Sequence, residues 1–214
     1  MEIRKAVLDN PHDAAAVERA FAQTEPQPVA CCNWPDDYPC APQVSFRMFH
    51  TGELLMLRFE VEERCTAAAA VDDNGPVWRD SCVEFFIAPD DGGYYNFEIN
   101  CIGTLLLAHR RQRTVDVVHA SPEVLSLVGR TSTLPHEPFA ERRGDNRWTV
   151  TAAIPVRALF LHSFDSWDGM EALMNLYKCG DDLSVPHFLS WSPIYTPSPD
   201  FHRPEFFRAV RFEK

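Results

Sequence analysis

The chain has 214 residues, with 20 Lys and Arg against 31 Asp and Glu, so its formal net charge is −11. Proteins that bind nucleic acids carry basic faces, and this acidic balance argues against a nucleic-acid partner. The apolar share of 45% is normal for a globular protein and excludes a fibrous or largely disordered chain. A chain of this length is usually one domain, and we expect a single domain over residues 1–214.

The N-terminal segment predicts one short amphipathic helix. Asn10 and Pro11 are typical of an N-cap and a first helical position. Apolar residues then recur at helical spacing as far as about Gln23. The segment lacks the apolar run of a signal peptide, and no stretch of the chain is apolar for long enough to span a membrane. We therefore expect no membrane partner and a cytoplasmic protein, or a secreted or periplasmic one if a leader has been removed.

A proline-rich segment over residues 25–42 predicts an ordered loop, and a β-hairpin follows it. Apolar residues alternate with polar ones on both sides of a turn at residues 50–53. The alternating residues are Val44, Phe46 and Met48, then Leu55, Leu57, Phe59 and Val61. Residues 67–78 predict a loop that turns at Asn74 and Gly75.

The next two strands are predicted to form a second hairpin around a turn at residues 89–93. One face of the pair carries Val83, Phe85, Ile87, Tyr95, Phe97, Ile99 and Cys101. Three polar residues, Asn96, Glu98 and Asn100, share the opposite face, and the hairpin would bring them next to Glu84. This polar stripe has two interpretations: plain solvated surface, or one wall of a concave binding surface. The apolar run continues past Gly103 through residues 105–107.

The second half of the chain predicts further strands. Residues 114–144 predict irregular loops with at most one strand, whereas Trp148, Val150, Ala152 and Ile154 alternate clearly. One helical turn is expected at Pro155, a strand at residues 174–178 and a final strand in the tail. Eight or more short strands with one peripheral helix predict an all-β, antiparallel β-sandwich with long proline-rich loops.

The cysteines and loop carboxylates give no clear metal site. The odd number of seven cysteines and the lack of a C-x-x-C pair do not support zinc. Cys82 and Cys101 lie within strand patterns, so we expect them reduced and buried. The acidic pairs at residues 72–73, 90–91 and 181–182 suit calcium but lack the spacing of a calcium-binding loop. We expect no cofactor and no metal, with calcium as the alternative.

Two aromatic segments are candidates for binding. Trp78 stands beside Asp80 and Glu84, and an aromatic ring near carboxylates suits the C–H face and the hydroxyls of a sugar. The alternative is a tryptophan that closes one end of the sandwich. Residues 186–207 hold several aromatic side chains among five prolines, which predicts a rigid aromatic loop. His187 and His202 flank this run, but their wide spacing is weak evidence for a metal.

Together, residues 73–87 (DNGPVWRDSCVEFFI), 94–103 (YYNFEINCIG) and 187–207 (HFLSWSPIYTPSPDFHRPEFF) resemble the family 9 carbohydrate-binding modules, and most closely the stand-alone family 9-like proteins of bacteria. The resemblance implies an immunoglobulin-like β-sandwich, also described as a DOMON-like fold. It implies a non-catalytic protein that grips a terminal sugar of a mono- or oligosaccharide between two tryptophans. Trp78 and Trp191 match those two positions.

The resemblance also assigns further site residues. Glu84 matches a glutamate that binds sugar hydroxyls, and either Arg110 or Arg111 matches a sugar-contacting arginine. His187 and Ser190 stand where better-known modules have amides, which is a departure from the pattern. The predicted ligand-binding residues are therefore Trp78, Glu84, Asn100, Arg110, His187 and Trp191.

Two other functions compete with sugar binding. A small glycan-active enzyme on the same sandwich would need two carboxylates facing one pocket, roughly 5–10 Å apart. A haem-binding redox domain would need a Met/His pair aimed into a deep apolar pocket, and Met48, Met56 and His50 are available for it. The resemblance favours a binding protein over both.

Overall fold

The computed structural model describes residues 1–8, 10–11 and 13–214. Within these ranges the chain forms two α-helices, α1 (Ala14–Ala22) and α2 (Pro122–Leu127). The strands are β1 (Glu2–Ile3), β2 (Gln27–Pro28), β3 (Cys31–Cys32), β4 (Gln43–His50), β5 (Leu54–Ala68), β6 (Cys82–Asp90), β7 (Gly93–Asn100), β8 (Leu105–Arg110), β9 (Val118–His119), β10 (Gly129–Ser132), β11 (Phe139–Pro155), β12 (Glu171–Cys179), β13 (Phe188–Ser190) and β14 (Arg208–Phe212). Short 3-10 helices cover Val77–Arg79, Val156–Ala158 and Pro204–Phe206.

The strands form two sheets, which confirms the predicted β-sandwich. The larger sheet has the order β1-β14-β12-β6-β7-β8-β9, with β13 pairing to β12 and β3. The smaller sheet has the order β10-β11-β5-β4-β2. All pairs of named strands are antiparallel except β1 with β14, where Glu2 lies opposite Arg211.

The main apolar core lies between the two sheets and confirms the period-two predictions. Every residue of the set Val83, Phe85, Ile87, Tyr95, Phe97, Ile99, Trp148, Val150 and Ile154 is at most 2% exposed. Burial of one large apolar side chain stabilises a fold by about 1.5–3 kcal/mol, so this alternation supplies much of the driving force for folding. Cys82 and Cys101 are also buried, as predicted.

A second apolar cluster covers the outer face of the larger sheet. It joins residues of β6, β7, β8 and β12 to the N-terminal loop and the C-terminal aromatic run, through Trp34, Phe86, Tyr94, Tyr177, Ile194, Phe201 and Phe207. The polar stripe of β7 lies beneath this cover, with Asn96 and Asn100 at 0% exposure and Glu98 at 4%. Plain solvated surface is therefore the wrong interpretation of that stripe.

Two predictions about element boundaries are wrong. The N-cap of α1 is Asp13, whose carboxylate accepts a hydrogen bond from Ala15 N at 2.9 Å, and not Asn10. Residues 114–144 hold β9, α2, β10 and the start of β11 rather than mainly loops. The strand residues in this range are mostly exposed and polar, so their sequence lacks the alternation of apolar and polar residues that predicts a strand.

In the described residues, no helix has both the length and the apolarity to cross a membrane.

Candidate functional site

A cleft of about 500 Å³ opens on the outer face of the larger sheet. Strands β6, β7 and β8 form its floor, and the segment after β12 and the C-terminal aromatic run form its walls. This volume is typical of small-molecule sites. The lining residues are Trp78, Glu84, Glu98, Leu106, Arg110, Arg113, Thr114, Val117, His119, Cys179, Asp181, Phe188, Pro199, Asp200, Phe201 and His202.

Two carboxyl groups lie side by side on the floor. Glu84 of β6 is directly opposite Glu98 of β7, and each is only 4% exposed. The Cys179 thiol donates to Glu84 Oε1 at 3.2 Å, and Asn96 Nδ2 donates to Glu98 Oε1 at 2.9 Å. Burial, with repulsion from Glu98, raises the pKa of Glu84 well above its usual range. Burial also raises the pKa of Glu98 to about 7, so the floor favours neutral carboxyls below that pH.

One buried guanidinium faces these carboxyl groups. Arg110, 8% exposed, donates from Nε to Asn96 Oδ1 at 2.9 Å and from Nη1 to the Arg113 carbonyl at 2.8 Å. Its positive charge opposes the rise in the pKa of Glu98. Arg111 is exposed and does not line the cleft. Of the two arginines left open by the sequence, Arg110 is therefore the one that can reach a ligand there.

Aromatic side chains form the walls. Trp78, half-buried in the 3-10 helix before β6, lines the cleft. Phe201, another lining residue, stacks on Tyr177 with ring centroids 4.3 Å apart, and His202 Nδ1 lies 2.9 Å from the Tyr94 hydroxyl. Burial, helped by two nearby arginines, lowers the pKa of His202 to about 3, so the ring is neutral at physiological pH. The cleft thus pairs apolar ring faces with buried polar groups.

Trp191 does not share this cleft with Trp78. Its side chain is 8% exposed in the core between the sheets, with its ring 5.7 Å from that of Phe46 and 4.6 Å from the Arg208 guanidinium carbon. The Trp191 backbone N–H donates to the Leu176 carbonyl at 2.9 Å, which fixes the chain just after β13. The Trp191 ring therefore faces the core between the sheets. The resemblance implies instead that this ring faces Trp78 across a gap.

Two more of the predicted site residues lie outside the cleft. His187 is 2% exposed, and its Nε2 accepts a hydrogen bond from Lys178 at 2.7 Å, in the core near Glu63. Asn100 bonds the Ala70 carbonyl and Asp80 through its Nδ2 at 2.8 and 2.9 Å. Both side chains form hydrogen bonds within the protein. Of the six predicted ligand-binding residues, the cleft therefore brings together only Trp78, Glu84 and Arg110.

Several cleft residues were outside the predicted set although the sequence carried signals for them. Glu98 and Asn96 belong to the polar stripe, and Phe201 and His202 belong to the aromatic run. Asp181 belongs to a loop acid pair; burial raises its pKa to about 6. The other acid pairs have local partners, as in Asp73 with Arg130 at 2.6 Å and Asp90 with His162 at 2.9 Å.

The side chains considered for haem do not converge. Met48 belongs to the core between the sheets, whereas Met56 packs in a separate cluster with α1. His50 is fully buried, with Nδ1 3.6 Å from an Asp168 carboxylate oxygen. These three described side chains therefore do not form a Met/His pair facing one cavity.

Comparison with known proteins places the chain near sugar-binding modules. The family model described as carbohydrate-binding family 9 matches residues 15–212. A Bacteroides uniformis chain, provisionally described as a carbohydrate-binding protein, is 45% identical with a TM-score of 0.94, covering 100% of this chain and 98% of that one. No curated protein matches the chain.

Two structures of a family 9 module from Caldicellulosiruptor kristjanssonii share the fold. One is a complex with glucose and the other with cellotriose, and each is 11% identical to this chain. Their TM-scores are 0.60 and 0.59; both alignments cover 100% of this chain, with 95% and 92% of the respective modules. At this identity the likeness concerns the fold.

Proposed function

Because the chain belongs to carbohydrate-binding family 9, we propose that it binds a mono- or oligosaccharide in the cleft on the outer face of the larger sheet. The observation that carries the proposal is the meeting of Glu84, Glu98 and Arg110 beneath an aromatic rim that includes Trp78. Sugar hydroxyls need charged or amide partners, and the C–H face of the ring packs on aromatic side chains. A groove lined by Glu60, Glu62, Arg147 and Trp148 holds the same residue types, but its charged side chains are largely exposed and the Trp148 ring is buried in the core.

The terminal ring of the saccharide would rest against Trp78. In this chain the other aromatic lining comes from Phe188 and Phe201, whose centroids lie 6.1 Å apart, and not from Trp191. Arg110 is held by Asn96 and the Arg113 carbonyl, so it is oriented before a ligand arrives. Such preorganisation reduces the entropy lost on binding. We expect a dissociation constant roughly in the micromolar to millimolar range.

Replacement of Trp78 by alanine tests the site. The change removes a stacking surface worth about 0.5–1.5 kcal/mol, which corresponds to roughly a two- to tenfold loss of affinity. Isothermal titration calorimetry with glucose, xylose, cellobiose and cellotriose measures the effect. Thermal unfolding of Trp78→Ala checks that the variant still folds without this half-buried ring.

Trp191→Phe is the matched control, because Trp191 lies in the core and does not line the cleft. It should leave the affinity unchanged. If Trp191→Phe abolishes binding while Trp78→Ala preserves it, the saccharide site lies elsewhere and the proposal is wrong.

The carboxyl pair supports a second candidate, glycoside hydrolysis. Side chains directly opposite on antiparallel strands have Cβ atoms about 4.5–5.5 Å apart, and Glu84 and Glu98 stand in this relation. Two carboxyl groups at close range can act as acid and nucleophile. Chromatography of the oligosaccharides after the calorimetric titrations separates the candidates: intact ligands indicate binding alone, and shorter products that disappear in Glu98→Gln indicate hydrolysis.

A further inference from the structure

A second constellation lies at the floor of the cleft, where β6 meets β12. Cys82 is directly opposite Cys179 in the antiparallel pair, and Glu84 lies two residues along β6 on the same face. The two Sγ atoms and a Glu84 carboxylate oxygen all lie within 4.8 Å of one another. All three side chains are buried, at 0%, 1% and 4% exposure.

We propose that Cys82, Cys179 and Glu84 form a zinc-binding site whose fourth position faces the saccharide cleft. Zinc takes sulfur at about 2.3 Å and carboxylate oxygen at about 2.0–2.2 Å in a tetrahedron, which places neighbouring donor atoms roughly 3.5–4 Å apart. The Cys179 Sγ and Glu84 Oε1 atoms are 3.2 Å apart, and the remaining donor-to-donor distances are no more than 4.8 Å. Small side-chain movements therefore suffice to seat the ion.

The donor set selects the metal. Two thiolates are soft ligands and favour zinc, whereas calcium takes six to eight oxygen ligands. Three protein ligands with one open position resemble a zinc site that accepts water or substrate rather than a closed structural site. Glu84 and Cys179 both line the cleft, so the open position points to the space where a sugar hydroxyl would lie.

The surroundings also suit a cation. Asp181 faces the same cleft and adds negative charge above about pH 6, and Glu98 does so above about pH 7, while Arg110 limits the excess. Without metal, burial raises the pKa of the Cys82 thiol to about 12 and that of Cys179 well above its usual range, so the thiols are protonated. Entry of zinc releases the two thiol protons, and the Glu84 proton where that carboxyl is protonated, which leaves the ligands as two thiolates and one carboxylate.

Cysteine spacing does not predict this site, because the two thiols come from distant parts of the chain. They meet only through the pairing of β6 with β12. Zinc binding does not depend on the proposed saccharide binding and is measured without any sugar, so failure of either leaves the other standing.

Titration of the reduced protein with Co²⁺ tests the site. We expect one tightly bound ion per chain, with a sulfur-to-metal charge-transfer band in the near ultraviolet and visible bands typical of tetrahedral cobalt. Stoichiometric Zn²⁺ should displace the cobalt and remove both features. Cys82→Ala and Cys179→Ala should each weaken binding about a hundredfold or more, since changes to outer-shell partners alone cost 10–100-fold.

Cys40→Ala is the matched control, because Cys40 is a partly buried cysteine outside the cleft. It should leave the cobalt spectrum and affinity unchanged. A spectrum that persists in Cys82→Ala or Cys179→Ala, or that is lost in Cys40→Ala, overturns the assignment. If both ligand variants unfold, the spectrum of the wild-type protein tests the site instead. A charge-transfer band with the intensity of two thiolates supports the zinc site. The absence of that band at one equivalent of cobalt refutes it.

Discussion

Lys178, although charged, is fully buried between the sheets. Its ammonium donates to the Cys179 carbonyl and to His187 Nε2, both at 2.7 Å, and lies 2.9 Å from Glu63 Oε2. Burial disfavours a charged Glu63, but the Lys178 ammonium and the Trp148 indole N–H hold the pKa of Glu63 below its usual value. Since a buried ion pair stabilises a fold only when its hydrogen bonds are complete, His187 is part of this pair's support.

His187 gives the protein a specific sensitivity to acid. Burial and the neighbouring Lys178 lower the pKa of His187 to about 3. The unfolded chain protonates this histidine below about pH 6.5 while the folded protein does not, so the stability is complete above that pH and is lost as the pH falls. In His187→Gln, we expect the free energy of unfolding to fall about 2 kcal/mol less between pH 7 and pH 5 than in the wild type.

Urea unfolding at several pH values measures this difference. The glutamine carbonyl can still accept from Lys178, which limits the disruption of the core. His136→Gln, at an exposed position, serves as the control and should keep the wild-type pH dependence. Parallel stability curves for His187→Gln and the wild type would contradict a neutral buried His187.

At the scale of elements, Asn100 joins three segments near the end of β7. Its Nδ2 donates to the Ala70 carbonyl and to Asp80 Oδ2, and its Oδ1 accepts from the backbone of Thr104 at 2.9 Å. Asp80 in turn accepts from the backbone of Ala69 and Ala70 at 2.8 and 3.0 Å. This network fixes the loop that carries Trp78, so Asn100 positions the cleft without lining it.

Asn100→Ala should therefore destabilise the protein more than it weakens saccharide binding. The change leaves buried polar partners unsatisfied, at about 1–3 kcal/mol for each group. We expect a loss of about 2–4 kcal/mol in the free energy of unfolding, measured by denaturant titration. Asn96→Ala is the comparison, because Asn96 bonds Glu98 and Arg110 and should mainly reduce affinity. Equal effects of the two variants on affinity would contradict this division.

Elements with a buried face were predictable, and the direction of individual loop side chains was not. The alternation of apolar and polar residues predicted β4–β7 and the end of β11, because each of these strands turns one apolar face to the core. The hairpin register likewise put Glu98 beside Glu84. The inward direction of the Trp191 ring was not predictable, because an aromatic ring after a short strand can turn either inward or outward. Contacts with Phe46 and Arg208 from distant segments decide the outcome.

At the scale of the whole molecule, both faces of the larger sheet are covered, which buries Cys82 and Cys179 on its outer face. Cys65, Cys82, Cys101 and Cys179 are buried, whereas Cys31, Cys32 and Cys40 are partly exposed, and all seven are free. Thiol titration of the metal-free protein in denaturant should find seven groups per chain. In the native protein, the four buried thiols should react much more slowly than the other three. Five or fewer thiols in denaturant would reveal a disulfide.

The parallel pairing of β1 with β14 has a consequence for the order of folding. Glu2 lies opposite Arg211, and Glu213 N–H donates to the Ile3 carbonyl at 2.9 Å, so one edge of the larger sheet joins two segments that are far apart in the sequence. Closing so long a loop is slow, and the first strand leaves the ribosome long before its partner exists. During synthesis β12 presents an unpaired edge, including the half-exposed Leu173, until β14 emerges.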